Sequence, residues 1–98
     1  MEINKILNNG ELVLKVSGEL NTTTYQQLED IISNSLAGVK SLVFDFEKLE
    51  YISSAGLRVL LMSKKIMDKQ GKMVVKNANK SVMDIFEITG FASILDFE

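Results

Sequence analysis

Residues 42–61 read LVFDFEKLEYISSAGLRVLL, and this stretch decides the fold of the chain. The β-rich run around Asp45 is of the kind that is buried on both faces of a sheet. Beyond a polar loop, apolar side chains recur at helical spacing, at Leu57, Leu60, Leu61 and Met67. The stretch therefore predicts a buried strand, a loop and an amphipathic helix that begins at Ser53 or Ser54.

The hydroxyl at the start of this helix has more than one use. A serine there is first of all a capping residue, because its oxygen can accept from the free amides of the first turn. A phosphate added at the same place would be stabilised by those amides and by the helix dipole. An anion-binding pocket for a nucleotide is a third interpretation, with Arg58 and Lys80 as its candidate cations. These three interpretations compete for Ser54, and the residues alone favour the cap.

The rest of the chain alternates strand and helix patterns. Residues 3–7 and 12–16 flank Asn9-Gly10, which predicts an antiparallel hairpin because both residues tolerate positive φ. Asn21, Thr22 or Thr23 can cap the next helix. Further helices and strands are predicted at residues 22–36, 41–46, 54–69, 73–76, 80–89 and, as a candidate edge strand, 95–97.

This order of elements predicts an α/β fold. We expect a mixed sheet of four or five strands, with helices packed mainly on one face and with the second and third strands parallel. Polar residues at the ends of those strands, including Asn21, Thr22, Ser53 and Ser54, would then share one sheet edge with residues 77–81. That edge is the expected interaction surface.

Composition narrows the class of protein. Ninety-eight residues predict one domain, residues 1–98, and 46% hydrophobic with 24% charged residues is typical of a soluble globular chain. A net charge of −2 argues against nucleic-acid binding. The N-terminus lacks a signal-peptide core, and no apolar run reaches membrane-spanning length. We expect a cytoplasmic protein that binds neither nucleic acid nor membranes.

The chain contains no histidine and no cysteine. The commonest general base, the commonest metal ligand and a thiol nucleophile are therefore missing, and a Ser/His/Asp site cannot form. The six glycines are scattered and form no phosphate-binding loop. We expect no catalytic residues, no metal and no cofactor, and hence no enzyme.

Three motifs carry a resemblance to a known family. They are GELN at residues 18–21, SSAGL at residues 53–57 and ITGF at residues 88–91. On these residues the chain resembles the STAS domain, specifically the stand-alone anti-sigma factor antagonists. Their signature is a strand, a short loop and Asp-Ser-(Ser/Thr/Ala)-Gly-Leu opening a helix. The resemblance extends over nearly the whole chain and implies a single STAS-like domain.

The resemblance implies a phosphorylation-controlled switch. In the family, the serine two residues before the glycine accepts the phosphate, which corresponds to Ser54. The unphosphorylated protein would bind an anti-sigma factor that is also a serine kinase of the histidine-kinase-like ATPase fold, and so release the sigma factor. The kinase would supply ATP and magnesium, and a serine phosphatase would reset the switch. We expect a monomer or weak dimer, with partner-binding residues Asn21, Thr22, Ser53, Ser54, Ala55, Gly56, Leu57 and Arg58.

Two positions depart from the family pattern. The acid that precedes the phosphoacceptor is Ser53 here, and the acid that follows Gly-Glu-Leu is Asn21. Ser53 supports an alternative, a STAS scaffold subunit of a transporter or signalling assembly that is never phosphorylated. Gly56 also has two explanations, since its small size could accommodate an adjacent strand or a docking kinase.

Overall fold

The computed structural model describes residues 1–98, which form six strands, three α-helices and one 3₁₀ helix. No helix combines the length and the apolar character that crossing a membrane requires. The elements in chain order are β1 (Glu2–Asn8), β2 (Glu11–Leu20), α1 (Tyr25–Ser35), β3 (Ser41–Asp45), β4 (Leu49–Ile52), α2 (Ser54–Met67), β5 (Lys72–Lys76), α3 (Lys80–Thr89), the 3₁₀ helix Phe91–Ser93 and β6 (Asp96–Phe97).

The predicted hairpin is confirmed. β1 and β2 pair antiparallel, and the two residues between them, Asn9 and Gly10, have φ values of 50° and 82°. The turn therefore uses the left-handed conformation that favours Asn-Gly. The sheet continues in the order β1-β2-β3-β5-β6, and β2 pairs parallel with β3 as expected.

One strand was not predicted. The sheet has six strands rather than four or five, because β4 lies where the sequence suggested only a polar loop. β2 extends to Leu20 instead of ending at residue 16, and its last third pairs parallel with β4 after a bulge at Gly18 and Glu19. Leu49 and Ile52 are buried at the two ends of β4, and their burial stabilises this short strand.

The helices cover one face of the sheet, as predicted. On β2, β3 and β5 the side chains of that face are buried, whereas the opposite face of these strands carries mostly partly exposed or charged side chains such as Lys15 and Lys76. The core is formed by Leu12, Leu14, Val16, Leu42, Phe44, Met73 and Val75 of the sheet, together with Leu28, Ile32, Leu57, Leu60, Met67, Val82 and Phe86 of the helices. The predicted fold class is confirmed.

The start of α1 differs from the prediction. The helix begins at Tyr25 rather than Thr22, and its N-cap is Thr24, whose side chain makes no capping hydrogen bond. The Thr24 hydroxyl instead donates to the carbonyl of Glu19 at 2.8 Å. Residues 22–24 therefore form a turn between β2 and α1, and none of the expected capping residues occupies the N-cap position.

Candidate functional site

The site is built where β2 and β4 end side by side. The amide of Ser53 donates to the carbonyl of Leu20 at 2.9 Å, which continues the ladder one residue beyond β4. Asn21 directly follows Leu20 in sequence, and Ser54 directly follows Ser53. The two motifs GELN and SSAGL are therefore joined by a backbone hydrogen bond, and this part of the predicted common edge, without residues 77–81, is present.

Ser53, not Ser54, caps α2. Ser53 has extended backbone angles, φ −97° and ψ 178°, and its hydroxyl accepts from the amide of Gly56 at 3.5 Å. Its carbonyl accepts from the amide of Leu57 at 2.9 Å. The expectation that Ser54 itself caps the helix is wrong, because Ser54 is already the first helical residue.

The hydroxyl of Ser54 is free for another use. Ser54 is exposed and makes no side-chain hydrogen bond within the chain. It lies in the first turn of α2, which contains no acidic residue. A negative group on this oxygen would meet unpaired amides and the positive end of the helix dipole.

Asn21 organises the turn in front of α1. Its side-chain oxygen accepts from the amide of Thr23 at 3.0 Å and from the Thr23 hydroxyl at 2.8 Å. Its backbone carbonyl accepts from the amide of Tyr25 at 2.8 Å. The side-chain nitrogen of Asn21 makes no hydrogen bond within the chain, and neighbouring Thr22 is exposed. The side-chain oxygen of Asn21 therefore has a structural role, and the partner contact of this residue stays a prediction.

Arg58 lies across the junction of α1 and α2. Its guanidinium carbon is 5.9 Å from the centre of the Tyr25 ring, at the outer limit of a cation–π contact. Such a contact is worth about 0.5–1 kcal/mol at an exposed site. Arg58 is exposed and Tyr25 half-buried. We call the surface formed by Asn21, Thr22, Ser53, Ser54 and Arg58 the Ser54 surface.

Three of the predicted partner-binding residues are not on this surface. Ala55 and Leu57 are 5% exposed, and Gly56 is buried between them, because this side of α2 packs onto the sheet. A Cβ at Gly56 would lie 2.7 Å from Cγ of Leu20 and 2.8 Å from Cγ1 of Ile52. The small size of Gly56 is therefore required by the domain's own strands, and Ala55 and Leu57 pack into the domain's core. A contact of these three residues with a partner stays a prediction.

Residues 77–81 join the sheet at a different point from the one predicted. The side-chain nitrogen of Asn79 donates to the carbonyl of Leu49 at 3.0 Å, and its oxygen caps α3 at the amide of Val82. Lys80 pairs with Asp84 at 3.2 Å. This segment therefore binds the start of β4, and its side-chain hydrogen bonds do not reach the serines at the end of that strand.

The contacts of Asp45 at the end of β3 alter the pKa of its carboxyl group. Partial burial raises the pKa of Asp45, but hydrogen bonds from the Asn77 side chain and the Glu47 amide outweigh it. With the nearby charges of Lys15 and Lys76 they hold the pKa below its ordinary value. The carboxylate thereby fixes the chain at the end of β3.

A nucleotide pocket does not form at Ser54. The one cavity of the molecule, about 250 Å³, lies between the strands of the hairpin and the β3–β4 turn. It is lined by Glu2, Asn4, Lys15, Val16, Ser17, Asp45, Glu47 and Lys48. Neither Ser54 nor Arg58 contributes to it, so the pocket interpretation of Ser54 has no structural support.

Comparison with known protein families gives a match to the STAS domain over residues 2–98. The chain belongs to the STAS domain family. The resemblance seen in the three motifs is thus confirmed over nearly the full length of the domain.

Several relatives of this STAS domain carry functional names. BtrV of Bordetella bronchiseptica, named as an anti-sigma factor antagonist, is 39% identical over 88 residues, which cover 88% of this chain and 76% of BtrV. The crystal structure of an anti-sigma factor antagonist from Mycobacterium paratuberculosis superimposes with a TM-score of 0.88 at 24% identity, covering 98% of this chain and 83% of that one.

The fold is also that of SpoIIAA. The unphosphorylated form of SpoIIAA matches with a TM-score of 0.78 at 17% identity, covering 99% of this chain and 87% of SpoIIAA. The phosphorylated form of the Bacillus protein gives 0.77 at 18%, covering 99% and 91%. At these identities the likeness establishes the STAS fold.

Sequence reasoning missed two aromatic residues of this STAS domain. Tyr25 meets Arg58 only because α1 and α2 pack together, and no local pattern signals that contact. Tyr51 is 44% exposed on β4, two residues before Ser53. The tyrosine beside Ile52 could have indicated a strand here, because aromatic and β-branched residues are enriched in strands.

Proposed function

We propose that this STAS domain is a phosphorylation-controlled anti-sigma factor antagonist. In its unphosphorylated state it binds an anti-sigma factor through the Ser54 surface, and the sigma factor is released. Phosphorylation of Ser54 by the same anti-sigma factor, acting as a serine kinase, ends the binding. A serine phosphatase restores the active state.

One observation carries the proposal. Ser54 presents an exposed, unbonded hydroxyl at the first position of α2, while Ser53 supplies the cap. The helix therefore does not depend on the Ser54 oxygen, and this oxygen is free to be modified. The names of BtrV and of the structural neighbours support the choice of partner, and the existence of SpoIIAA in two phosphorylation states supports the mode of control.

The energetics favour a change in binding over a change in fold. A phosphate at a helix start gains about 0.3–1 kcal/mol from the helix dipole, so the domain should remain folded. The same group brings about −1.5 to −2 charges into a fitted interface, where poorly compensated charge costs several kcal/mol. Each ~1.4 kcal/mol lowers affinity tenfold. Affinity would therefore fall by orders of magnitude with little structural change.

The chemistry of the cycle belongs to the partners. We infer that the kinase, of the histidine-kinase-like ATPase fold, binds ATP and magnesium, and that the STAS domain itself catalyses nothing. The domain serves as substrate and ligand in the cytoplasm, where the transcription machinery and ATP are present. In this scheme the domain is a monomer or a weak dimer, since the Ser54 surface must be open to its partner.

Intact-mass analysis after incubation with the cognate kinase and ATP tests the proposal. We expect the addition of one phosphate, mapped to Ser54 by peptide analysis. Ser53→Ala should still be labelled, and Ser54→Ala should not. Labelling of Ser54→Ala to the wild-type extent, or loss of labelling in Ser53→Ala alone, would contradict the assignment.

The second candidate function is a STAS scaffold that does not cycle through phosphorylation. It is favoured by Ser53, which stands where the family has an acid and which is committed to capping α2. A scaffold would gain no phosphate in the incubation with kinase and ATP, and it would bind its partner with the same affinity before and after it. The mass experiment therefore separates the two candidates directly.

A further inference from the structure

Arg58 is a cation without an anionic partner. The two ion pairs of the molecule are Lys64–Asp68 and Lys80–Asp84, and neither involves Arg58. Its guanidinium instead lies over the Tyr25 ring, at 5.9 Å from the ring centre. This contact is long for its kind and exposed to water, so a nearby anion would compete with it readily.

Ser54 and Arg58 are one helical turn apart. Residues at positions i and i+4 are neighbours on a helix surface, and both of these side chains are exposed. An anion that precedes a cation by four residues has the favourable orientation for such a pair. A phosphorylated Ser54 would therefore stand within reach of the guanidinium, whose planar donor fork matches phosphate oxygens.

We propose that Arg58 senses the modification of Ser54. In the unmodified chain Arg58 rests on Tyr25, and when Ser54 carries a phosphate the guanidinium moves to the phosphate oxygens and uncovers the Tyr25 ring. This inference rests on the proposed function in one respect, the choice of Ser54 as the modified residue. Arg58 is then a positioning residue that holds the phosphate against α2.

The movement of Arg58 would alter the surface beyond the phosphate itself. Tyr25 is the first residue of α1, and its amide donates to the carbonyl of Asn21. Loss of the guanidinium from its ring changes the surface beside Asn21, across the sheet edge from Ser54. The two states of the Ser54 surface then differ on both helices, which gives a partner two places at which to distinguish them.

The test uses phosphoserine incorporated genetically at position 54, so that no kinase is needed. The chain has two tyrosines and no tryptophan, and Tyr51→Phe therefore leaves Tyr25 as the only fluorophore. In this background we compare arginine, lysine and glutamine at position 58. We measure the proton affinity of the phosphate by ³¹P NMR, the Nε–H signal of Arg58, and the accessibility of Tyr25 to an acrylamide quencher.

With Arg58 present, we expect the proton affinity of the phosphate to be about twofold lower than in Arg58→Gln. The Nε–H signal should shift on phosphorylation, and quenching of Tyr25 should increase. Arg58→Lys should lower the proton affinity partly, since lysine supplies charge without the fork. In Arg58→Gln, Tyr25 should be equally accessible with serine and with phosphoserine at position 54.

The proposal is overturned if the phosphate has the same proton affinity with arginine and with glutamine, or if the Tyr25 signal is unaffected by phosphoserine. These readouts do not involve the anti-sigma factor. If they are as expected but phosphoserine does not weaken anti-sigma factor binding, the sensing by Arg58 stands and the proposed function fails. The two failures are therefore distinguishable.

Discussion

The amide of Ser53 donates to the carbonyl of Leu20 at 2.9 Å, and this bond joins the two motifs of the site. It extends the parallel pairing of β2 and β4 up to Ser53, the N-cap of α2. Because both strands end there, the turn after Leu20 and the start of α2 are held at a fixed separation by the sheet. The Ser54 surface thus rests on a rigid edge rather than on a mobile loop.

The two serines should contribute differently to stability. Ser53→Ala removes the cap of α2 and should cost about 0.5–1 kcal/mol, at the low end for a cap because its hydrogen bond is 3.5 Å long. Ser54→Ala removes no hydrogen bond and should change stability by less than about 0.5 kcal/mol. Urea denaturation of both variants checks this. Equal destabilisation by the two substitutions would contradict the assignment of the cap.

The sequence predicted those parts of the fold that have local signals. The Asn9-Gly10 turn, the buried run around Asp45 and the helical spacing of α2 each depend on neighbouring residues, and all are confirmed. β4 has only four residues and is stabilised by pairing with β2, a contact remote in sequence. Local patterns cannot report such pairing.

The same distinction applies to the candidate site. The motif identified the start of α2, but which serine caps it depends on the backbone angles of Ser53. The burial of Ala55, Gly56 and Leu57 depends on how α2 docks on the sheet. The contact of Arg58 with Tyr25 also forms only when two helices pack together.

Gly56→Ala should destabilise the domain. The added Cβ would meet Leu20 and Ile52 carbons at 2.7 and 2.8 Å, and overpacking of this kind costs about 1–3 kcal/mol. The higher helix propensity of alanine offsets up to about 1 kcal/mol of this cost. The net loss of up to about 2 kcal/mol should lower Tm by up to roughly 16 °C.

A double-mutant cycle isolates the cause of that loss. Leu20→Ala removes the Leu20 carbons at 2.7 and 3.0 Å and leaves the Ile52 carbon, so Gly56→Ala should cost less in the Leu20→Ala background than in the wild type. Additive effects of the two substitutions would show that the contact with Leu20 is not the origin. A more stable Gly56→Ala variant would contradict the packing argument altogether.

Stability should depend on the ionisation of Asp45. The contacts from Asn77, Glu47, Lys15 and Lys76 hold its pKa in the folded state below the ordinary 3.8. The unfolded chain therefore binds the proton of Asp45 more tightly than the folded chain does. The stabilisation is present above pH 3.8, and it is lost as the pH falls through the lower pKa that Asp45 has in the folded state. Asp45→Asn should be less stable than wild type at pH 7, and the difference in stability should shrink as the pH falls below 3.8.

Asn77→Ala is the matched variant for Asp45. It keeps the carboxylate but removes the side-chain hydrogen bond that lowers its pKa. Its stability should change less steeply with pH between about 5 and 2 than that of the wild type. Thermal melts over this range are the measurement, and parallel curves for wild type and both variants would contradict the role of Asp45.

Asn21→Ala should weaken partner binding more than folding. The substitution removes the acceptor that holds the Thr23 amide and hydroxyl, which should cost about 1 kcal/mol. A domain of ordinary stability remains folded after such a loss. A tenfold or greater fall in affinity for the anti-sigma factor would therefore report a contact of Asn21 with the partner.

Asn21→Asp is the control for that experiment. It keeps the acceptor oxygen and restores the acid common in the family, so its melting temperature should match the wild type. Calorimetric titration and thermal melts of both variants complete the comparison. A lower melting temperature of Asn21→Ala with unchanged affinity would show that Asn21 serves the turn alone.

Ser54→Asp should block the partner without unfolding the domain. Because Ser53 keeps the cap, neither Asp nor Ala at position 54 removes a hydrogen bond, and Asp gains about 0.3–1 kcal/mol from the helix dipole. Partner affinity of Ser54→Asp should nevertheless fall at least tenfold, about 1.4 kcal/mol, because a charge enters a surface fitted to a hydroxyl. Ser54→Ala should bind within about threefold of wild type, about 0.6 kcal/mol.

Ser53→Asp is the matched charge control for Ser54→Asp. It adds the same charge one residue earlier, at the N-cap, where Asp is a good capping residue and where the family itself carries an acid. If the effect is local to position 54, Ser53→Asp should be at least as stable as wild type and should still bind. Calorimetric titration of all three variants against the anti-sigma factor, with thermal melts in parallel, decides this. The switch mechanism fails if Ser54→Asp binds as tightly as wild type, if its weak binding follows unfolding, or if Ser53→Asp binds equally weakly, since net charge alone would then explain the loss.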